Sequence, residues 1–251
     1  MAPQLSDRPI LCAVLDGRAL GDNPEALARD LFLAGVDWIQ LRDRDLEALA
    51  LEAIASSLVA GRNHANEQRR AEGGGAGKRC RVIVNRRLDV LLCSGADGAH
   101  LGFDALCETR AHELLPENLL LGRSFHSIQE IESHASRSDS ILGYAHLAPI
   151  WDPFSKEASR PAVGLECLSH ACAFGLPILA QGGVDPARAR EAVAAGAAGV
   201  AVTGQVATAR NPMDVARQLR RGIDEGFKER PDRVARRPLG AAIEGQFLIE
   251  E

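Results

Sequence analysis

The chain has 251 residues, with 29 Lys and Arg against 34 Asp and Glu and a formal net charge of −5. That length suits one large domain or two small ones, and a mildly acidic balance gives no bulk attraction to nucleic acid or anionic membranes. Hydrophobic residues make up 46% and aromatics only 4%, so a core of Ala, Val, Leu and Ile is expected.

No run of apolar residues is long enough to span a membrane, and Met1 to Arg8 lacks the apolar block of a secretory signal. The six cysteines, Cys12, Cys80, Cys93, Cys107, Cys167 and Cys172, contain no C-x-x-C pair. Cys12 and Cys93 stand in apolar runs, where a free thiol is expected to act as a small core residue. Reduced thiols and a cytoplasmic location are the simplest expectation, and homo-oligomerisation is compatible with it.

Eight short apolar runs follow one another: Ile10–Leu15, Trp38–Leu41, Val82–Val84, Ala99–Leu101, Leu119–Leu121, about Tyr144–Ile150, Pro177–Ala180 and Val200–Val202. They read as fully buried parallel strands separated by helical patterns. Three helices open with Asn or Asp before Pro, at Asn23-Pro24, Asp185-Pro186 and Asn211-Pro212. The first residue can cap and the proline suits the first turn. Glycines at 35, 95 and 196 stop helices about three residues before the next strand. Eight βα units predict a closed (β/α)8 TIM barrel over residues 1–226, with a doubly wound sheet as the alternative. Residues 66–81, before the third strand, read as a Gly-rich insertion, since the phosphate-loop spacing fails at Glu72 and Arg79. Residues 227–251 read as a C-terminal tail.

Barrels of this kind place chemistry at the C-terminal ends of their strands. Polar residues gather there: Gln40, Arg42 and Arg44 after strand 2, Asn85 after strand 3, His100 in strand 4, Ser124 and His126 after strand 5, and Lys156 beyond strand 6. Gly182-Gly183 after strand 7 and Thr203-Gly204 after strand 8 hold the positions where barrels bind phosphate. The alternative is that these glycines serve turns alone. Arg42 and Arg44 would share a face on an extended strand end and suit an anion; the competing reading pairs them with Asp43, Asp45 and Glu47. His126 is the candidate general acid/base, because its imidazole titrates near neutrality.

In this order these segments resemble the thiamine phosphate synthase/TenI superfamily. Gln40-Leu41-Arg42-Asp43-Arg44 is similar to its Q-L-R-E-K, and Ala96–Gly102 to its A-D-G-V-H-L-G. Gly122–Ser127 is similar to its G-x-S-x-H-S, and Pro149-Ile150-Trp151 with Ser155-Lys156 to its P-I-F-x-T-x-T-K. Gly164-Leu165, Gly182-Gly183 and Gly196-x-x-Gly199-Val200 fall in register. The resemblance implies a TIM barrel with one of two activities. One couples an aminopyrimidine diphosphate to a thiazole phosphate with release of pyrophosphate. The other isomerises a carboxythiazole phosphate, with the histidine matching His126 as acid/base.

The synthase resemblance implies Mg2+ held by an Asp after Asn85 and by another shortly after strand 4. Here those positions are Arg86 and Ala105, with Asp104 one residue early. Phe103 and Pro153 also replace motif residues. These departures favour a tautomerase-like isomerase needing no metal or other cofactor, acting on a heterocyclic phosphate. The alternatives are a synthase, which would use Mg2+, and a non-catalytic thiazole or thiamine phosphate binder.

Overall fold

A computed structural model describes residues 8–72, 80–102, 104–137, 141–152 and 160–230. The chain begins with β1 (Ile10–Leu15), a short α1 (Gly17–Leu20) and α2 (Pro24–Leu33). It continues through β2 (Trp38–Leu41), α3 (Ala48–Ala71), β3 (Arg81–Asn85), α4 (Leu88–Ser94), β4 (Gly98–Leu101) and α5 (Glu108–Leu114). Next come β5 (Leu120–Phe125), α6 (Ile128–Ala135), β6 (Tyr144–Leu147) and α7 (Gly164–Cys172). It closes with β7 (Ile178–Gln181), α8 (Pro186–Ala194), β8 (Gly199–Val202), a short α9 (Gly204–Ala207) and α10 (Pro212–Glu229). All strands pair in parallel, each with its successor, and β8 returns to β1 with Leu11 opposite Val200 and Cys12 opposite Ala201. The expected closed (β/α)8 barrel is therefore the fold.

The caps act as their sequences imply. Asn23, Asp185 and Asn211 accept hydrogen bonds from the backbone N–H groups of Ala26, Arg188 and Asp214. The Gly-x-Asp joins do more than stop helices. Asp37, after Gly35, accepts from the N–H of Leu11 at 2.8 Å and from Arg220 Nη1 at 2.9 Å. Asp97, after Gly95, accepts from the N–H of Val82 at 2.8 Å and from Arg62. Each carboxylate thus ties the start of a strand at the N-terminal face, where a barrel is built for stability.

Alternate strand residues point to opposite faces. One set packs against the helices; the other fills the barrel with Ile10, Cys12, Val14, Trp38, Ile83, Leu120, Tyr144, Leu179 and Ala201. The lumen departs from the expected aliphatic filling. Its centre is an edge-to-face pair, Trp38 and Tyr144, with ring centroids 4.8 Å apart.

Other differences are local. Helix α3 extends to Ala71, so the first part of the expected 66–81 insertion is helical, while residues 73–79 lie outside the described residues. Arg69 explains the extension: its guanidinium reaches the Phe32 carbonyl and, at 2.9 Å, Cys80 Sγ. Helix α10 runs to Glu229, past the expected boundary at 226, because Glu229 pairs with Arg190 of α8. The tail beyond Arg230 lies outside the described residues. Cys12 is buried as expected, but Cys93 is exposed, on the solvent side of α4. No described helix is long and apolar enough to cross a membrane.

Candidate active site

Strand parity assembles the upper layer of the barrel. Gln40, Asn85, His100, Ser124, His146 and Gln181 lie on strands β2 to β7 and share the inward parity of Trp38, Ile83, Tyr144 and Leu179. Gln40 Nε2 donates to Asn85 Oδ1 at 3.1 Å. His100 meets Ser124 Oγ at 2.8 Å through Nε2 and the Tyr144 hydroxyl at 3.1 Å through Nδ1. The His100 and His146 rings lie 4.2 Å apart, and the Gln181 side chain bonds His146. Two buried acceptor or donor atoms of this layer, Gln40 Oε1 and His146 Nε2, have no protein partner among the described residues. Such atoms are ordinarily satisfied by water or a ligand.

His146 and Gln181 were not among the sequence candidates. The signal was available: Tyr144 and His146 are two apart, as are Leu179 and Gln181, so each pair shares the inward face.

Burial makes this layer a pair of neutral imidazoles. His100 is held well below the usual histidine range by burial, then by His146 and the charges of Arg42 and Arg123. Burial pushes His146 down to about 3, against the bond from Gln181. Unfolded histidines take up protons below about pH 6.5, whereas the folded pair does not, so stability is lost as pH falls from that value. Lowering pH from about 6.5 to 5.5 should cost roughly 1 kcal/mol per histidine, read from urea midpoints. A flat profile over that interval would contradict neutral burial of the pair.

Above this layer, β2 ends at Leu41, so Arg42 and Arg44 lie in the following turn rather than on the strand. Asp43 holds that turn: its carboxylate accepts from the N–H groups of Gly17, Asp45 and Leu46 at 3.0, 2.9 and 3.1 Å. It is therefore not the partner of either arginine, and neither arginine makes a side-chain hydrogen bond or ion pair among the described residues. Arg42 lies below the ordinary arginine range, first through desolvation and then through the neighbouring charges of Arg44 and Arg86. The charges of Arg44 and Arg86 are thus both felt at Arg42.

His126 follows β5, which extends to Phe125 rather than stopping at Leu121. Ser127 caps α6 by accepting from the N–H of Glu130, and Glu130 accepts in return from the His126 N–H at 2.7 Å. These two bonds fix the His126 backbone against the start of α6. His126 Nδ1 lies 2.7 Å from the Ala148 carbonyl. A carbonyl only accepts, so Nδ1 carries the proton and Nε2 of the neutral ring is left as an acceptor.

The same segment after β6 leads to the paired-glycine turn. Strand β6 ends at Leu147, not Ile150; just beyond it the Ala148 N–H donates to the Phe125 carbonyl at 3.1 Å. Ile150 N–H then donates to the Gln181 carbonyl at 2.8 Å and Trp151 N–H to that of Gly182 at 3.3 Å. Gly182 and Gly183 both have left-handed φ, +93° and +61°. Arg188, which the sequence reading missed, donates to the Gly183 carbonyl at 2.7 Å and lies 5.5 Å over the Trp151 ring. Thr203 precedes α9, whose first residue is Gly204, at the end of β8. His126 and the paired-glycine turn therefore share one rim. Lys156 lies outside the described residues, as do Phe103 and Pro153.

The residues at the implied Mg2+ site do not fit that ion. Its two carboxylate positions hold Arg86 and Ala105, and Asp104, one residue early, lies with Oδ2 2.9 Å from Arg86 Nη1. Hard divalent cations need several oxygen ligands, and an adjoining guanidinium repels them.

Comparison with known proteins identifies the family. The family described as "Thiamine monophosphate synthase" matches residues 11–206. The thiamine-phosphate synthase of Chlorobium phaeovibrioides is 30% identical over 221 residues, covering 88% of this chain and 97% of the relative. That of Methanoculleus marisnigri is 36% identical over 196 residues, covering 77% and 85%. Among solved structures, thiamine phosphate pyrophosphorylase from Pyrococcus furiosus superposes with a TM-score of 0.69 at 23% identity, covering 87% of this chain and 96% of that one. At that identity the superposition supports the fold alone, but the family match spans well over half of the sequence, and the chain belongs to the thiamine phosphate synthase/TenI superfamily.

Proposed function

We propose that the protein is a transferase of thiamine biosynthesis that couples an aminopyrimidine diphosphate to a thiazole phosphate and releases pyrophosphate. This corrects the expectation of a tautomerase as the main activity. Relatives 30–36% identical over most of their length are thiamine-phosphate synthases, and the departures at Arg86 and Ala105 do not outweigh them. The observation that carries the reading is a cationic group of arginines and a left-handed glycine pair at the same end of the barrel. Arg42, Arg44 and Arg86 match the multiple charges of a diphosphate, and Gly182, Gly183, Thr203 and Gly204 suit a single phosphate. One carboxylate would not need three guanidinium groups.

In this reading Gln40, Asn85, His100 and Ser124 line the floor beneath the pyrimidine, and the Gln40 Oε1 and His146 Nε2 atoms supply its acceptors and donors. A closed polar floor and a rim of cations hold the reacting carbon and the ring nitrogen together, which is where positioning lowers the barrier. The leaving diphosphate keeps the electron pair of the broken C–O bond, and the arginines stabilise its charge. The thiazole nitrogen forms the new C–N bond and has no proton to lose. His126 therefore orients substrate through Nε2 rather than transferring a proton.

A second reading, the tautomerase, is favoured by the orientation of His126, whose Nε2 is presented as a base. Both are decided by incubating the protein with the two synthase substrates, and separately with a carboxythiazole phosphate. Pyrophosphate release that needs both synthase substrates is expected, and His126→Ala should reduce it less than about tenfold, the loss of one orienting hydrogen bond. Absence of release at saturating substrates with Mg2+ present overturns the transferase. Isomerisation of the carboxythiazole phosphate that His126→Ala abolishes would establish the tautomerase in its place. Saturable binding with neither turnover would leave a binding protein.

A further inference from the structure

Arg86 combines three features that nothing in the barrel requires. It is the one non-glycine residue with positive φ, +68°, among the described residues. Its N–H donates to the His100 carbonyl at 2.9 Å, and the next N–H, of Arg87, donates back to the Asn85 carbonyl at 2.8 Å. A tight turn thus holds a conformation that an arginine does not prefer. Strain that the surrounding structure maintains commonly marks a functional position.

The side chain is aimed as well. Arg86 Nη1 pairs with Asp104 Oδ2 at 2.9 Å, and both groups stay about one-third exposed at the mouth. The pair lies over Gly102: a Cβ there would stand 3.2 Å from Asp104 Oδ1 and 3.9 Å from Arg86 Cδ. Nε and Nη2 of Arg86 have no partner among the described residues. Its charge is felt at Arg42, together with that of Arg44. At Arg42 the carboxylates of Asp104 and Asp16 act in the opposite sense to these two arginines.

We propose that Arg86, braced by its left-handed turn and by Asp104, stands where the resemblance places a divalent cation and binds the diphosphate end of the pyrimidine substrate directly, so that this chain grips pyrophosphate without Mg2+. The inference rests on the diphosphate-releasing reaction proposed above. A guanidinium offers the diphosphate a planar fork of donors where a metal would offer coordination bonds. Asp104 acts as the positioning residue: one oxygen fixes Nη1 and turns the remaining donors toward the ligand.

The probe is inorganic pyrophosphate, titrated calorimetrically into the full-length protein in EDTA and in Mg2+. The dissociation constant in EDTA should lie within about threefold of that in Mg2+, a difference well under one charged hydrogen bond. Arg86→Gly removes the guanidinium while accepting the left-handed φ, so the fold should be kept, as judged by thermal melting, while binding in EDTA weakens at least about tenfold. Arg86→Lys should restore part of it through charge alone. Binding that appears only with Mg2+, or that Arg86→Gly leaves unchanged, overturns the inference. Coupling that runs with Mg2+ and stops in EDTA, alongside Mg2+-dependent pyrophosphate binding, removes this inference and leaves the proposed reaction. Arg86-dependent binding in EDTA without any coupling removes the reaction and leaves the cation assignment.

Discussion

Gly183→Ala is expected to weaken binding of a thiazole phosphate by about a hundredfold, the cost of displacing a backbone cradle by about an ångström. The backbone there has φ +61°, and a Cβ would lie 2.4 Å from the Asp152 carbonyl oxygen and 2.9 Å from Trp151 Cβ. Neither neighbour can yield freely. Trp151 N–H is bonded to the Gly182 carbonyl, and Arg188 ties the Gly183 carbonyl from behind. The turn itself must therefore move, and with it the N–H groups assigned to phosphate. Left-handed strain alone should cost about 1–3 kcal/mol of stability. Gly175→Ala is the matched control: its φ is +84°, but nothing lies within 4 Å of its Cβ, and it sits before β7 at the other end of the barrel. Calorimetry and melting together separate the two. Affinity lost only in Gly183→Ala, with a stability loss larger than that of Gly175→Ala by the cost of the overlap, supports the cradle; unchanged affinity in Gly183→Ala would reject it.

Gly122→Ala should destabilise the barrel by about 3–5 kcal/mol, at the top of the range for overpacking plus a lost buried hydrogen bond. The added Cβ would stand 2.1 to 2.7 Å from three carbons of the Tyr144 ring. That ring is fully buried, packed on Trp38, and bonded through its hydroxyl to His100. No rotamer change relieves the overlap without leaving the His100 side of the bond unpaired. Chemical denaturation would measure the loss, and the accompanying shift of His100 should lower coupling activity beyond the loss of folded protein. A midpoint change equivalent to less than about 1 kcal/mol would mean that the lumen is looser than described.

These two glycines also show what was legible in the sequence and what was not. The barrel was legible because its signals are local: Asn-Pro and Asp-Pro starts, glycine stops, and apolar runs bounded by polar residues. The first two strands begin and end where those runs do. Strand β5 was misread because Gly122-Arg123-Ser124 has the composition of a loop. It remains strand because Gly122 leaves room for Tyr144, a contact that only the folded ladder creates. The apolar run through Ile150 points in the opposite direction: Ala148 and Pro149 are half-buried beyond the strand, and only Ile150 is buried, in the core between barrel and helices rather than as part of β6.

Within the site, Gln40, Asn85, His100, Ser124 and His126 were placed by their positions near strand ends, and the structure brings all five to the same end of the barrel. Arg42 and Arg44 were expected on a strand; they stand in a turn that Asp43 holds through the backbone, which no charge pattern announces. Arg188 was invisible because its value comes from two residues distant in sequence, Gly183 and Trp151. Phosphate binding is proposed for Gly182 and Gly183 from their left-handed turn, and for Thr203 and Gly204 from the start of α9 at the end of β8.

In the proposed reaction one mouth grips two phosphorylated substrates by opposite parts of its rim. A crystal structure of the full chain grown with a thiazole phosphate tests it most directly. The account predicts the phosphate on the Gly182–Gly183 and Thr203–Gly204 turns, with the ring toward His126 and the arginine cluster still open. Phosphate seated on Arg42 and Arg86, or at the N-terminal end of the barrel beside Arg220, would contradict it.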